Sequence, residues 1–202
     1  MSNEKIFFTS DWHLNEQRIF DFNPFFRPFK SVKEQNETII NNCNALLSKG
    51  DHLYHLGDVG MDIEGIEMLD KIKCKKRTLV LGNYDTDDIE KMAILSKHFD
   101  YIVSEDNIKI NNRPFYLNHY PTNAAKYLQG KDERMFGIVG HIHGLWKVQP
   151  TMINVGVDAW HFKPISQDTI LFQANAIEHY YDENVFPYTY DKMKMKMKGQ
   201  DV

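Results

Sequence analysis

Five short polar motifs interrupt this chain: Asp11-Trp12-His13, Gly57-Asp58-Val59-Gly60, Gly82-Asn83-Tyr84-Asp85, Asn118-His119-Tyr120 and Gly140-His141-Ile142-His143. Four of the five follow a stretch that reads as a β-strand, so separate strand ends can converge on one point. A fold that gathers several strand ends at one edge is the main constraint on this chain.

The segments between the motifs alternate strand and helix. Ile6-Phe7-Phe8-Thr9, His52 to Leu56 and Thr78 to Leu81 read as strands delivering Asp11, Asp58 and Asn83. Ser31-Val32-Lys33-Glu34 is a capping box opening a helix with apolar positions Ile39, Cys43, Leu46 and Leu47, closed by Gly50. Ile63, Ile66, Leu69 and Ile72 recur at helical spacing, and a further helix is expected from about Asp87 to Lys97.

The pattern then changes. Asp106 to Ile110 and Arg113 to Leu117 are strands joined by Asn111-Asn112, residue types that tolerate the positive φ of a tight hairpin. Phe136 to Val139, Thr151 to Asn154 and Thr169 to Phe172 read as three more short strands. A βαβαβα first half implies parallel strands, and the β-rich second half implies a second, partly antiparallel sheet. A β-sandwich covered by helices satisfies both. One domain over residues 1–190 is expected, with 191–202 as a mobile tail rich in Lys and Met.

With 202 residues, 42% of them hydrophobic, the chain can bury a full core. A formal net charge of −4 provides no basic field, which disfavours duplex nucleic acid as a partner. Two cysteines, Cys43 and Cys74, without CxxC spacing suit a reducing cytoplasm and read as buried thiols. No window approaches the roughly 18 apolar residues of a membrane span. A paired apolar edge of the second sheet would make a homodimer.

The motifs carry the chemistry. Hydrolysing a phosphate ester at neutral pH needs a strong nucleophile and neutralised phosphoryl oxygens, and two metal ions about 3.5–4 Å apart supply both through a bridging water attacking in line. Asp58, between two glycines at a strand end, is the candidate for the carboxylate shared by both metals. Asp11 and His13, two residues apart, point the same way from an extended segment, and His141 and His143 repeat that geometry. Asn83 adds an amide oxygen and His119 another imidazole. Such a mixed set without thiolates suits Mn2+ first, then Fe, Ni2+ or Zn2+, rather than Ca2+ or a structural zinc.

In this order the motifs resemble the calcineurin-like metallophosphoesterase superfamily, and the likeness spans residues about 6 to 158. Arg27-Pro28-Phe29 and Asn154-Val155-Gly156-Val157-Asp158 are similar to segments of its small single-domain bacterial and bacteriophage members. The resemblance implies an α/β (α+β) fold, a four-layer αββα sandwich of two mixed β-sheets flanked by helices. It also implies a dinuclear centre, with one metal on Asp11, His13, Asp58 and His143 and the other on Asp58, Asn83, His119 and His141.

Many members of the superfamily place His after the Gly-Asn pair, where this chain has Tyr84. A phenol titrating near ~10 is a weaker general acid than imidazole, so diesters or activated esters, a nucleotide among them, are expected to be preferred over alkyl monoesters. Asp58, Asn83, His119 and Tyr84 are then the catalytic candidates. A non-catalytic protein-binding scaffold on the same fold is the alternative, but it has no reason to keep the whole ligand set.

Arg27 and Asp158 are candidates for substrate contact. The Arg27 guanidinium can make a bidentate bond to phosphate or pack over Phe25 or Phe26. Asp158, with Trp160 and His161, lines the pocket or packs its loop. Asp85 either orients a ligand or caps the next helix. The run from Lys71 to Arg77 complements a helix end, while His52, His55, His98, His161 and His179 read as ordinary core or surface residues.

Overall fold

The computed structural model describes residues 4–22, 24–86 and 88–180. The expected tail 191–202 and the end of the expected domain, to residue 190, lie outside the described residues, as does the side chain of His179. The chain runs β1 (Ile6–Thr9), a single turn α1 (Ile19–Phe22), α2 (Val32–Leu46), β2 (His52–His55) and α3 (Ile63–Glu67). A 3-10 turn, Met68–Lys71, extends α3, and β3 (Lys76–Val80), α4 (Ile89–His98) and β4 (Tyr101–Val103) follow. The second half holds β5 (Glu105–Ile110), β6 (Arg113–Asn118), α5 (Pro121–Leu128), β7 (Phe136–Val139), β8 (Val148–Gln149) and β9 (Met152–Asn154). A 3-10 turn at Val157–Trp160, β10 (Ile165–Ser166) and α6 (Gln167–Tyr180) complete it.

Two mixed sheets result, ordered β10-β1-β2-β3-β4 and β5-β6-β7-β9-β8. β1 to β4 run parallel with β10 antiparallel at the edge, whereas β6, β7 and β9 are parallel between antiparallel β5 and β8. Period-two alternation of strand side chains divides the core into layers. Phe7, Leu53 and Leu79 meet Ile39, Cys43, Ile66 and Leu95 of the helices covering the first sheet. Their neighbours Phe8 and Val80 face the other way, against Phe115, Leu117, Ile138 and Ile153 of the second sheet. On the far side, Tyr116 and Val139 pack on Ala124 of α5.

Local signals account for most boundaries. The Ser31 hydroxyl accepts the Glu34 N–H at 3.2 Å while the Glu34 carboxylate accepts from Lys30 N–H, a capping box displaced by one residue. Asn111 and Asn112 sit at φ 48° and 63°, the left-handed pair a two-residue hairpin needs. Arg77 turns inward and donates to the carbonyls of Leu69, Ile72 and Cys74, so this end of the basic run closes the helical turn. Cys43 and Cys74 are buried and unpaired.

Residues 169–172, expected as a strand, belong to α6. The Ser166 hydroxyl accepts the Thr169 N–H at 3.3 Å, opening a helix whose Ile170, Ala174 and Ile177 face the core at helical spacing. Thr169 to Phe172 alone reads as β-rich because it is too short to reveal that period. α5 starts with Pro121 in its first turn, a helix-start signal the expected elements passed over. β4 is only three residues long.

His55 is fully buried at the end of β2, with its ring edge-on to Trp12 at 4.6 Å. Burial pushes its imidazole down from 6.5 to about 3. A base depressed in this way stays neutral when folded, whereas the unfolded chain takes up a proton below about pH 6.5. Its contribution is therefore complete above that pH and is lost as pH falls toward the folded value. His55→Phe removes this dependence. Between pH 7.5 and 5, urea unfolding of the metal-free variant should show about 2 kcal/mol less loss of stability than wild type; equal losses would contradict the assignment.

Candidate metal centre

All five motifs lie just past the carboxyl ends of strands. Asp11, Asp58 and Asn83 follow β1, β2 and β3 of one sheet, and His119 and His141 follow β6 and β7 of the other. Parallel strands side by side end at the same edge, and the two sheets bring both sets of ends together. Asp11, His13, Asp58, His141 and His143 have φ of 59°, 48°, 60°, 73° and 51°. Left-handed backbone costs on the order of 1–3 kcal/mol at a residue other than glycine, and its clustering is a mark of functional sites.

Cross-links between the turns hold these conformations. Asp11 N–H donates to Gly57 O at 3.0 Å, His13 N–H to Asp58 O at 3.1 Å, and Gly140 N–H to His119 O at 3.0 Å. Gly57, at φ 91°, is required: a Cβ there would come within 2.6 Å of Gly82 Cα and His119 Nδ1. The Asp85 carboxylate, buried and pushed upward by that burial, accepts N–H groups from Gly82 at 2.8 Å, Asp58 at 2.9 Å and Val59 at 3.1 Å. It thereby clamps the Asp58 turn to the Asn83 turn, while Asp88 caps α4.

Two groups of donors result, Asp11 with His13 and His143, and Asp58 with His119 and His141. Asp58 Oδ2 lies between them, 3.6 Å from His13 Nε2 and 3.5 Å from His119 Nε2. Its Oδ1 accepts the Tyr84 N–H at 2.9 Å, so the carboxylate cannot swing away freely. Asn83 Oδ1 and His141 Nδ1 each stand 3.2 Å from His119 Nε2.

The electrostatics favour a cation here. Burial works to raise the Asp58 carboxyl, but hydrogen bonding and charge from His119, aided by His13 and the Tyr84 N–H, hold it at about 2. Burial likewise opposes charge on His119, yet its contact with Asp58 and the field of Asp11 raise its imidazole to about 9. The carboxylate field that retains a proton there would equally retain a metal ion. His13 Nε2 is buried and has no hydrogen-bond partner among the described residues, as a ligand nitrogen facing a metal position would be. The donor set fits divalent ions.

The ring nitrogens remote from the centre are anchored, which turns each Nε2 inward. His13 Nδ1 meets Glu16 at 2.8 Å, His119 Nδ1 donates to Leu56 O at 2.6 Å, and His143 Nδ1 meets Asp158 at 2.9 Å. His141 instead presents Nδ1 to the centre. Glu16, almost fully buried, was missed by sequence reasoning, although a carboxylate three residues after a ligand histidine is a usable signal.

Arg27 and Asp158 correct the expectation of substrate contact. The Arg27 guanidinium is buried and donates to Asp158 at 2.8 and 2.9 Å, to Gln35 at 2.9 Å, and to the carbonyls of Trp12 and Asp11 at 3.0 and 2.5 Å. These acceptors occupy all of its donors, so none is left for a phosphate. Asp158 is held between Arg27 and His143. Burial pulls its carboxyl upward, and those two partners override this to hold it at about 2. Both residues brace the centre from behind. Tyr84 is half-buried with its ring edge-on to His13 at 5.0 Å, and Tyr120 contacts His119 at 4.8 Å and His141 at 4.9 Å.

Oxygen and imidazole donors without a thiolate, gathered where two sheets end, are the makings of a divalent-metal hydrolase. Residues 5–169 match the calcineurin-like phosphoesterase superfamily domain, and the chain belongs to that superfamily, whose members hydrolyse phosphoesters with divalent metal ions. It is 30% identical over 178 residues to an uncharacterized protein of Methanocaldococcus jannaschii, covering 85% of this chain and 92% of the relative. A crystal structure of a protein of unknown function from Aquifex aeolicus superimposes with a TM-score of 0.68 at 26% identity, over 84% of this chain and 99% of that one. The phosphoesterase Yfce from E. coli is similar at 16% identity and a TM-score of 0.48, over 75% of this chain and 78% of that one. No helix among the described residues is long and apolar enough to cross a membrane.

Proposed function

We propose that the protein is a dinuclear-metal phosphoesterase acting on phosphodiesters or activated esters, with Mn2+ as the first candidate metal. The observation that carries this reading is the position of Asp58 Oδ2, within 3.6 Å of a histidine from each donor group. Two divalent ions bound there would supply an activated water at neutral pH and positive charge on the phosphoryl oxygens. Asp11, His13 and His143 would hold one ion, Asn83, His119 and His141 the other, and Asp58 both. Glu16, Asp158 and the Leu56 carbonyl keep the imidazoles aimed inward. No imidazole follows Asn83, so protonation of the leaving oxygen falls to Tyr84 or the medium, which favours acidic leaving groups.

A panel of bis-p-nitrophenyl phosphate, p-nitrophenyl phosphate, 2′,3′-cyclic nucleotides and glycerol 2-phosphate, each with Mn2+, Ni2+, Mg2+ or Zn2+, tests the assignment. Turnover of the first or third, with little on glycerol 2-phosphate, is the expected pattern. Tyr84→His should raise the relative rate on glycerol 2-phosphate by about a hundredfold, the low end of general-acid effects. No gain there would remove leaving-group protonation as the basis of selectivity.

A further inference from the structure

Ser10 stands immediately before the Asp11-Trp12-His13 motif, and none of the roles assigned above uses it. It is fully buried, as is Asp11. Its hydroxyl oxygen lies 2.5 Å from Asp11 Oδ2 and 3.2 Å from the Leu56 carbonyl oxygen. A hydroxyl has a single proton to donate, so these two acceptors compete for it. The shorter contact has the length of a charge-assisted bond to a carboxylate, and the Leu56 carbonyl already receives His119 Nδ1 at 2.6 Å. The proton therefore goes to Asp11.

The same oxygen is closed in on its other sides. The His141 N–H lies 3.0 Å from Oδ2 and 3.0 Å from Oδ1, so it is shared between them. Backbone walls Oδ2 as well: a Cβ on Gly156 would come within 2.9 Å of it, and one on Gly140 within 3.1 Å. A Cβ on Gly140 would also stand 1.9 Å from Ser10 Oγ, so the bare glycine before His141 is what admits the hydroxyl. Main-chain bonding holds Ser10 in place, since it forms a bridge with Gly156 and its carbonyl accepts the Val157 N–H at 3.1 Å. A carboxylate oxygen offers about two lone-pair positions, and Oδ2 has two donors, whereas Oδ1 has only its share of one. Building on the two-metal reading, we infer that Ser10 is a positioning residue: its hydroxyl occupies Asp11 Oδ2 and leaves Oδ1 to the ion held with His13 and His143. Hydrogen bonds to a ligating carboxylate fix its orientation before the ion arrives.

The test isolates each ion by substitution and reads Mn2+ affinity by calorimetry on metal-stripped, full-length protein. His119→Ala removes a ligand of one ion and keeps Asp11, His13 and His143, whereas Asp11→Ala keeps Asp58, His119 and His141. Adding Ser10→Ala to the His119→Ala protein should weaken Mn2+ binding by about ten- to a hundredfold, the usual cost of losing a group that orients a ligand. Adding it to the Asp11→Ala protein should change affinity by less than about twofold, because the carboxylate it serves is gone. An equal loss in both backgrounds, or a loss in Asp11→Ala alone, overturns the inference: Ser10 would then act through Leu56 and His119, or on the structure as a whole. Unchanged affinity in the His119→Ala background overturns it too. Binding of a single ion by the wild-type protein would remove the two-metal reading alone, because the His119→Ala comparison still decides the role of Ser10.

Discussion

Asp58→Asn should lower kcat/KM on bis-p-nitrophenyl phosphate by about a thousandfold, the scale of losing several kcal/mol of charge stabilisation. It should also reduce bound metal from two ions toward one per chain. The substitution keeps the shape of the side chain and the Oδ1 acceptor that receives the Tyr84 N–H at 2.9 Å. It replaces Oδ2, which lies within 3.6 Å of a histidine from each donor group, with an amide. Circular dichroism should be unchanged, because neither the core nor the Asp85 clamp on the Asp58 N–H involves that oxygen. Elemental analysis and steady-state kinetics on one preparation read both effects. Wild-type metal content together with wild-type kcat/KM would refute a shared carboxylate.

Arg27→Met has its large effect on stability. About 3–5 kcal/mol should be lost, the usual result of removing one partner from a buried ion pair. Asp158 would keep its charge in a buried site, and Gln35 and the carbonyls of Asp11 and Trp12 would each lose a donor. Pairing it with Asp158→Asn should restore part of the loss, because the stranded charge is then gone. Urea unfolding of the two variants at neutral pH measures the difference. A loss below about 1 kcal/mol would mean that the pair is solvated and does not brace His143.

The contrast between Asp58 and Arg27 shows where sequence reasoning ends. Asp58 stands between glycines after a strand, and that local pattern is enough to single it out. Arg27 was equally visible as a charged residue in an aromatic stretch, but its direction was not. Its partner Asp158 is 131 residues away, and only packing of the β1–α2 connection beneath the late 3-10 turn turns the guanidinium inward. Glu16 escaped notice for a related reason: a carboxylate in a loop reads as solvated until its surroundings are known to be dry.

Elements divide in the same way. The Asn111-Asn112 hairpin, the Ser31 cap and the alternation of Phe7 and Phe8 between two core layers are properties of a few neighbouring residues, and they are readable in the chain. The Thr169–Phe172 run satisfies both strand and helix preferences, and the burial of Ile170 and Ala174 against the sheets selects the helix.

By itself, the sequence determined the family, the helix-flanked pair of sheets and the chemical types gathered at the centre. Those depend on residue identity, order and short-range periodicity. The tertiary structure alone decided that Asp58 Oδ2 stands between two histidines and that Arg27 and Asp158 hold each other. Those depend on distances between side chains far apart in sequence, which exist only once the two sheets have packed.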